Sequence, residues 1–401
     1  MATQDDPFVV QDGTAAIATA MWIGTAALMV LGIQPILLAA LVTEHRITDM
    51  LLGRLATDEV LAIAAGSAIG TIFFRTGSMR AKAAALSGLL ALVNIASCYA
   101  HGATALLILR FAAGAVEGIL LGCTVVILTR TRSPDRINGV FLAAQTIPQA
   151  LAALVLPIYL IPRWGSNASF VILAALALIG VALTPLLPRF AAPAAEKIAG
   201  PRWNWTGEVV CVLAATTLQT AGIGAAMEYL AQIATLHNFS QQMVGLATSG
   251  NLIFQVAGAF IVVGIAWRIR SAPALLTGVA LQAAMAISFP FMPTGAAYVA
   301  LACAFGLFLL ALGPFQVAWL IRIEPTRRVA LLITPITLVG WSIGPFIASY
   351  WVTAGSSDPA FWVATGLFLA AGAAYGLALI LARPSSRPTG EGVAVGAVAD
   401  V

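Results

Sequence analysis

Residues 103–128 read ATALLILRFAAGAVEGILLGCTVVIL, an apolar run whose only charges are Arg110 and Glu117. As one α-helix rising about 1.5 Å per residue, it is long enough to cross roughly 30 Å of hydrocarbon. Gly114, Gly118 and Gly122 recur at every fourth position, which strips one helix face of side chains and lets a neighbouring backbone come close. Outward from this run the same texture repeats. Apolar runs occupy 16–42, 55–74, 82–99, 138–161 and 168–187 around it, then 207–234, 243–266, 272–290, 297–321, 330–352 and 361–382. The chain of 401 residues is 60% hydrophobic and 9% charged, whereas a soluble domain carries about 25% charge. That composition excludes soluble, fibrous and disordered classes, and the continuous runs differ from the ten-residue alternation of a membrane β-barrel. The reading is an all-α integral membrane protein with twelve transmembrane helices.

The segment between the sixth and seventh runs collects Pro188, Arg189, Pro193, Glu196, Lys197, Pro201 and Arg202, the composition of a solvated linker. A boundary there gives an N-terminal segment 1–15, a six-helix bundle 16–187, a linker 188–206, a second six-helix bundle 207–382 and a tail 383–401. The tail, with Pro384, Ser385, Ser386, Pro388, Gly390 and Gly392, has no periodicity and is expected to be disordered. The net charge is +4, and its placement is informative. Arg46, Arg54 and Arg163 fall on one set of loops and Arg110 inside a run, while every other Lys and Arg lies on the alternate loops, the linker or the tail. This bias puts both termini, the linker and the tail in the cytoplasm. Asp5, Asp6 and Asp12 precede the first run without a Lys or Arg, so no secretory signal is expected. Cys98, Cys123, Cys211 and Cys303 each sit in an apolar run and read as small buried hydrophobes.

The halves echo each other, as parallel repeats do. Arg132-Ser-Pro134-Asp-Arg136 follows the fourth run of the first half, and Arg322-Ile-Glu-Pro325-Thr-Arg327 follows the fourth run of the second. Twelve runs, a central linker and basic alternate loops resemble the major facilitator superfamily over essentially the whole chain. Leu106-x3-Arg110-x2-Ala113-Gly114 resembles its fourth-helix motif, with Ala113 where Gln is common. Gly70, Ile72, Arg75 and Gly77 match its cytoplasmic loop motif, but Phe74 occupies the usual Asp position and Ser78 and Met79 replace basic residues. Those departures weaken the expectation of a charge latch between halves. The family's antiporter string, Gly-x3-Gly-Pro in the fifth helix, is missing from a run that has Gln145-Thr-Ile-Pro148-Gln149; a similar string, Gly340 to Pro345, occurs in the eleventh. This disfavours drug/proton antiport.

A charge in hydrocarbon costs at least about 2.5–3.5 kcal/mol on insertion scales, so Arg110, Glu117 and Glu228, well inside runs, are the proton-coupling candidates. Asp58 and Glu59 are expected to open the second helix, where carboxylates suit its N-terminus. Gln34, Gln145, Gln149, Gln219, Asn251, Gln255 and Gln316, with Trp319 and Trp341, are candidates for a polar cavity with aromatic walls; interhelical hydrogen bonding is the alternative for each amide. The resemblance puts their helices around the central cavity. Gly66 and Gly70, like Gly114, Gly118 and Gly122, suit close helix packing, and Pro35, Pro148, Pro157, Pro314, Pro335 and Pro345 permit bends. His45, His101 and His237 lie at loops without a second ligand at metal spacing, so no metal is expected.

The resemblance implies a secondary transporter working by alternating access, multi-pass in the bacterial inner membrane and monomeric, with the lipid bilayer and a small-molecule substrate as its partners. No cofactor is expected beyond a proton gradient, and no basic run suggests nucleic acid. With Arg110 available to an anion, the expected activity is proton-coupled uptake of an organic or aromatic acid; efflux of amphiphilic or toxic compounds is the alternative. A membrane-embedded enzyme is disfavoured. His45-Arg-Ile-Thr-Asp49 is one residue short of an acyltransferase box, and no metal-protease, serine-hydrolase or phosphate-loop motif occurs.

Overall fold

The computed structural model describes residues 13–131, 134–190, 205–265, 268–324 and 329–382. The segment 1–12, most of the 188–206 linker, the basic strings around Arg132 and Arg327, and the 383–401 tail therefore lie outside the described residues. Long apolar runs without side-chain competition for backbone hydrogen bonds fold as helices, because hydrocarbon leaves a peptide group no other partner. These helices are α1 (Thr14–Thr43), α2 (Asp49–Phe73), α3 (Met79–Cys98), α4 (Ala103–Leu128), α5 (Pro134–Val155), α6 (Ile161–Trp164), α7 (Asn167–Leu183), α8 (Gly207–Glu228), α9 (Leu230–Leu236), α10 (Gln241–Ile265), α11 (Ser271–Ser288), α12 (Gly295–Leu309), α13 (Gly313–Ile323), α14 (Ile333–Ser349) and α15 (Asp358–Leu381). Eleven stretches among the described residues are long and apolar enough to cross a membrane, and a shorter apolar helix covers Pro335–Ser349. The chain is a multi-pass, nearly all-helical membrane protein.

Three expected spans are broken. The fifth passes from α5 through a π-helical turn, Leu156–Leu160, into α6, where Pro157 lacks the N–H that a regular turn would use. The seventh is interrupted at Tyr229, between α8 and α9. The tenth is split between α12 and α13, which starts on Gly313-Pro314, a pair suited to a helix start. The second begins earlier than expected. Thr48 caps it by accepting from the Leu51 N–H at 3.3 Å, so Asp49 and not residue 55 starts the helix.

α2 and α4 lie against each other along their length, as do α3 and α7, α8 and α15, α8 and α14, and α10 and α12. The glycine register explains the closeness of α2 and α4. A Cβ on Gly114 would run into the Glu59 carbonyl, one on Gly118 into the Ile63 carbonyl, one on Gly66 into the Ala115 carbonyl and one on Gly70 into the Ile119 carbonyl, while one on Gly122 would meet the Gly70 backbone. Elsewhere α2 packs on α14 and α5 on α10. The largest core cluster draws residues from both regions, among them Ile33, Leu37, Leu52, Leu55, Tyr229 and Ala348.

Candidate functional site

The corrected start of α2 puts Glu59 in its third turn, among the buried stripe Leu52, Leu55, Ala56, Val60 and Ile63. It does not open the helix as expected, and its carboxylate faces the protein interior. Glu59 Oε1 lies 3.3 Å from Arg110 Nη1, and Oε2 accepts a 3.0 Å hydrogen bond from Gln34 Nε2. Arg110 Nη2 donates to Asn94 Oδ1 at 2.9 Å, and the guanidinium sits 5.2 Å from the centre of the Phe170 ring. Gln34, Glu59, Asn94, Arg110 and Glu117 are all fully buried. Glu117, two helical turns beyond Arg110 on the same face, has no hydrogen-bond partner on either carboxylate oxygen among the described residues. Two acids thus share one base.

Sequence reasoning missed Glu59 and Asn94. Glu59 falls four residues after Leu55 and four before Ile63, on the apolar stripe; that periodicity was the available signal. Neighbouring Asp58 points the other way, toward Arg54 at 3.9 Å on a partly exposed face, and Arg54 belongs to α2 and not to a loop.

Glu228 is the last residue of α8 and is also buried. Its Oε1 accepts from Trp341 Nε1 at 3.3 Å, and Oε2 has no partner among the described residues. The residue after Trp341 binds α2: Thr57 Oγ1 donates to the Ser342 carbonyl at 2.6 Å. Through this bond α14, which carries Trp341, is tied to α2 two residues before Glu59. Further ties join α1–α7 to α8–α15 at the end that carries the α1–α2 turn. Gln232 Nε2 donates to Asp49 Oδ1 at 2.8 Å, Tyr229 approaches the Asp49 carbonyl, and Gly245 packs on Pro157 and the Leu154 carbonyl. Gly53 lies beneath the Pro345 carbonyl and the Tyr229 hydroxyl with no room for a Cβ.

The amides divide. Gln34 belongs to the charge cluster, and Gln149 Nε2 donates to the Leu28 carbonyl at 2.7 Å, tying α5 to α1. Gln145 is half-buried with its side-chain oxygen unpartnered. Asn251 donates to the Ala302 carbonyl and accepts from Gln255, both at 2.8 Å, so that pair binds itself and α12. Gln219 donates to Gln282 at 3.0 Å and accepts from Gln316 at 2.8 Å and from the Tyr375 hydroxyl at 3.2 Å. These last residues form an internal knot between α8, α11, α13 and α15. Trp319 is fully buried, stacks on Tyr375 and donates to Glu208 at 2.8 Å. Tyr375→Phe should lower stability by about 1 kcal/mol, read as a lower unfolding temperature without loss of transport; an unchanged temperature would show that the knot holds without its hydroxyl.

At the α2–α3 turn, Gly77 has φ 62, Phe74 is buried, Arg75 is exposed, and Lys82 Nζ donates to the carbonyls of Phe73 and Thr76. Pro35, Pro148 and Pro345 sit inside helices, Pro335 near the start of one. His45 adopts φ 56 after α1, and His237 lies 3.9 Å from Asp358. No group of three potential metal ligands occurs among the described residues.

No family model matches the chain, and no curated protein matches it in sequence. Solved structures do. A crystal structure of the nucleoside transporter NupG superposes with a TM-score of 0.72 over 91% of this chain and 99% of its own, at 12% identity. A bacterial homologue of the human lysosomal transporter Spinster, inward-facing and occupied, gives 0.68 over 92% and 96%, at 14% identity. Its inward-facing, unoccupied form gives 0.63 over 94% and 96%, at 14% identity. The chain shares the fold of these solved transporters. In this fold, the charge cluster on α2 and α4 lies beside the junction of α2 with α14 and α8.

Proposed function

We propose that the protein is a proton-coupled secondary transporter of a small organic solute, working as a monomer in the bacterial inner membrane. Residues 16–187 and 207–382 act as two six-helix bundles that rock about the junction, with both termini in the cytoplasm. On that orientation the closed end at Asp49, Gly53 and Gly245 is the outer face, and the conformation described is shut to the outside. The positive-inside bias of the loops supports the orientation.

The observation that carries the proposal is Glu117: a buried carboxylate in the membrane region, without a hydrogen-bond partner on either oxygen among the described residues, on the same helix as an arginine already paired to Glu59. One proton gained there brings the Glu59–Arg110–Glu117 group to neutrality, and one lost restores its charge. Linking that exchange to opening of the junction couples a proton to the solute. Glu117→Gln fixes the neutral form. In proteoliposomes it should abolish accumulation driven by a pH gradient while leaving solute exchange at equal pH; gradient-driven accumulation that survives the substitution refutes the role of Glu117.

Uptake of an organic or aromatic acid rested on Arg110 being available to an anion. Arg110 is instead held by Glu59, Asn94 and Phe170, so an acid substrate loses the residue that suggested it, and efflux of amphiphilic compounds stands as the alternative direction. The fifth-helix antiporter string is absent, so coupling in that direction would depend on the carboxylates.

A further inference from the structure

Phe170 is fully buried on α7, and two guanidiniums share its ring: Arg46 lies 5.8 Å and Arg110 5.2 Å from the ring centre. The two belong to different places. Arg110 is part of the buried charge cluster, whereas Arg46 lines a cavity of about 380 Å³ at the end that carries the α1–α2 turn, together with Glu44, His45, Cys98, His101 and Asn167. Gly102 completes the cavity wall where α4 begins, and Arg110 follows two turns later, about 12 Å along the helix. The layer between them holds the Phe170 ring and Leu106, which is fully buried one turn nearer the cavity than Arg110. Arg46 is fixed in place. Its Nη1 donates to Ser166 Oγ at 2.9 Å and Asn167 Oδ1 at 3.0 Å, and its Nη2 to the carbonyls of Ser97 at 2.7 Å and Ala100 at 3.3 Å. All four partners are uncharged, the Glu44 carboxylate is taken by the Ser166 N–H and hydroxyl, and no ion pair among the described residues includes Arg46. Ser169 Oγ, beside Phe170 in the chain, and Arg110 Nε are buried with no hydrogen-bond partner among the described residues, and such atoms draw in water wherever there is room for it.

We propose that Phe170, clamped by Arg46 and Arg110, is a barrier that keeps protons of the outer medium away from the Glu59–Arg110–Glu117 group. This deepens, and rests on, the proton-coupled reading and the orientation above. A coupled transporter must not let protons reach its carboxylates outside the cycle, and here two helical turns separate the cluster from a polar cavity. The barrier has two parts. The ring fills the layer and denies it to a file of water, and the unneutralised Arg46 at the cavity wall repels hydronium before it reaches the ring, as an arginine does in pores that exclude protons. Of the other titratable groups lining the cavity, His45 and His101 gain positive charge in acid and add to the barrier, while Glu44 is held at Ser166. Protons then exchange with the cluster only across the junction with α8 and α14, the part that opens and closes.

The test uses the full-length protein in vesicles loaded with a pH-sensitive dye, with no solute present and a pH step applied outside. The unsubstituted protein should hold the gradient. Phe170→Ala should pass protons at least tenfold faster, Phe170→Leu, which keeps an apolar plug, much less so, and Arg46→Gln several-fold faster. Adding Glu117→Gln to Phe170→Ala should slow the leak again, which separates passage through the cluster from general loosening. Where Phe170→Ala does not survive extraction, Arg46→Gln decides, because that side chain is only half-buried. A second reading is chemical. With all four cysteines replaced by alanine, Leu106→Cys should resist a charged, membrane-impermeant thiol reagent and react with it once Phe170→Ala is added. A leaky unsubstituted protein, an Arg46→Gln variant as tight as the unsubstituted one, or a Phe170→Ala leak indifferent to Glu117→Gln overturns the inference. Failure of the transporter reading would look different: the leaks would appear as expected, yet no solute would accumulate on a pH gradient in the unsubstituted protein.

Discussion

Arg110→Met is expected to cost about 3–5 kcal/mol of stability, the range for breaking a buried ion pair by removing one partner. Methionine fills much of the arginine's volume, so the loss is electrostatic and not a cavity effect. It leaves Glu59 and Glu117 as two like charges in a dry interior, with Asn94 and Gln34 unable to balance them. The measurement is the unfolding temperature of the purified variant, or the yield of monodisperse protein where it does not survive extraction. Glu59→Gln made on top of Arg110→Met removes one of the stranded carboxylates and should restore a good part of the loss. A double variant no better than Arg110→Met alone would mean that the arginine acts through packing on Phe170 and not through charge.

Gly53→Leu is expected to leave the protein folded and stop its cycle. The glycine sits under the Pro345 carbonyl and the Tyr229 hydroxyl, where even one methyl group has no space. α2 can then no longer close on α14, and the ties from Thr57 to Ser342 and from Gln232 to Asp49 cannot form. Overpacking of this kind costs about 1–3 kcal/mol, charged only to the closed form, which moves the equilibrium between closed and open outer faces by roughly 5–150-fold. Spin labels at Met50→Cys and Gln242→Cys, exposed positions flanking this end, should report a longer distance in the variant, and transport should fall at least tenfold. An unchanged distance together with normal transport would show that closure at this end is not part of the cycle.

The fold was legible because hydrocarbon imposes the same demand on every span. Residues 103–128 come out as the helix Ala103–Leu128, and the four-residue glycine spacing on it meets the matching pair on α2. The start of α2 was misread because a run of apolar residues is a poor guide where a helix dips charged residues into solvent: Arg54 and Asp58 occupy its open face while Glu59 turns inward. Hydropathy averages over faces, and a cap such as Thr48 locates a helix start better. The split between α12 and α13 was signalled by Gly313-Pro314, which also suits a mere bend. The amides were hardest to place. Their residue types were visible, but Gln219, Gln316 and Tyr375 come together from distant parts of the chain, and nothing in one sequence distinguishes an amide that awaits a solute from one already bound to another amide.

The seam between α2 and α4 has a kinematic meaning. Backbone rests on backbone at Gly66, Gly70, Gly114, Gly118 and Gly122, so at these five points no side chain is available to repack and let one helix slide against the other. The two helices are in effect a single girder, and Glu59, Arg110 and Glu117 are bolted to it at fixed separations whichever face of the membrane is open. The charge cluster therefore cannot sense the state of the cycle by stretching. On the proposed cycle it can sense it only by what is brought up to the girder or taken away from it, and Glu228 and Trp341, on α8 and α14, are the groups placed across the junction to do so.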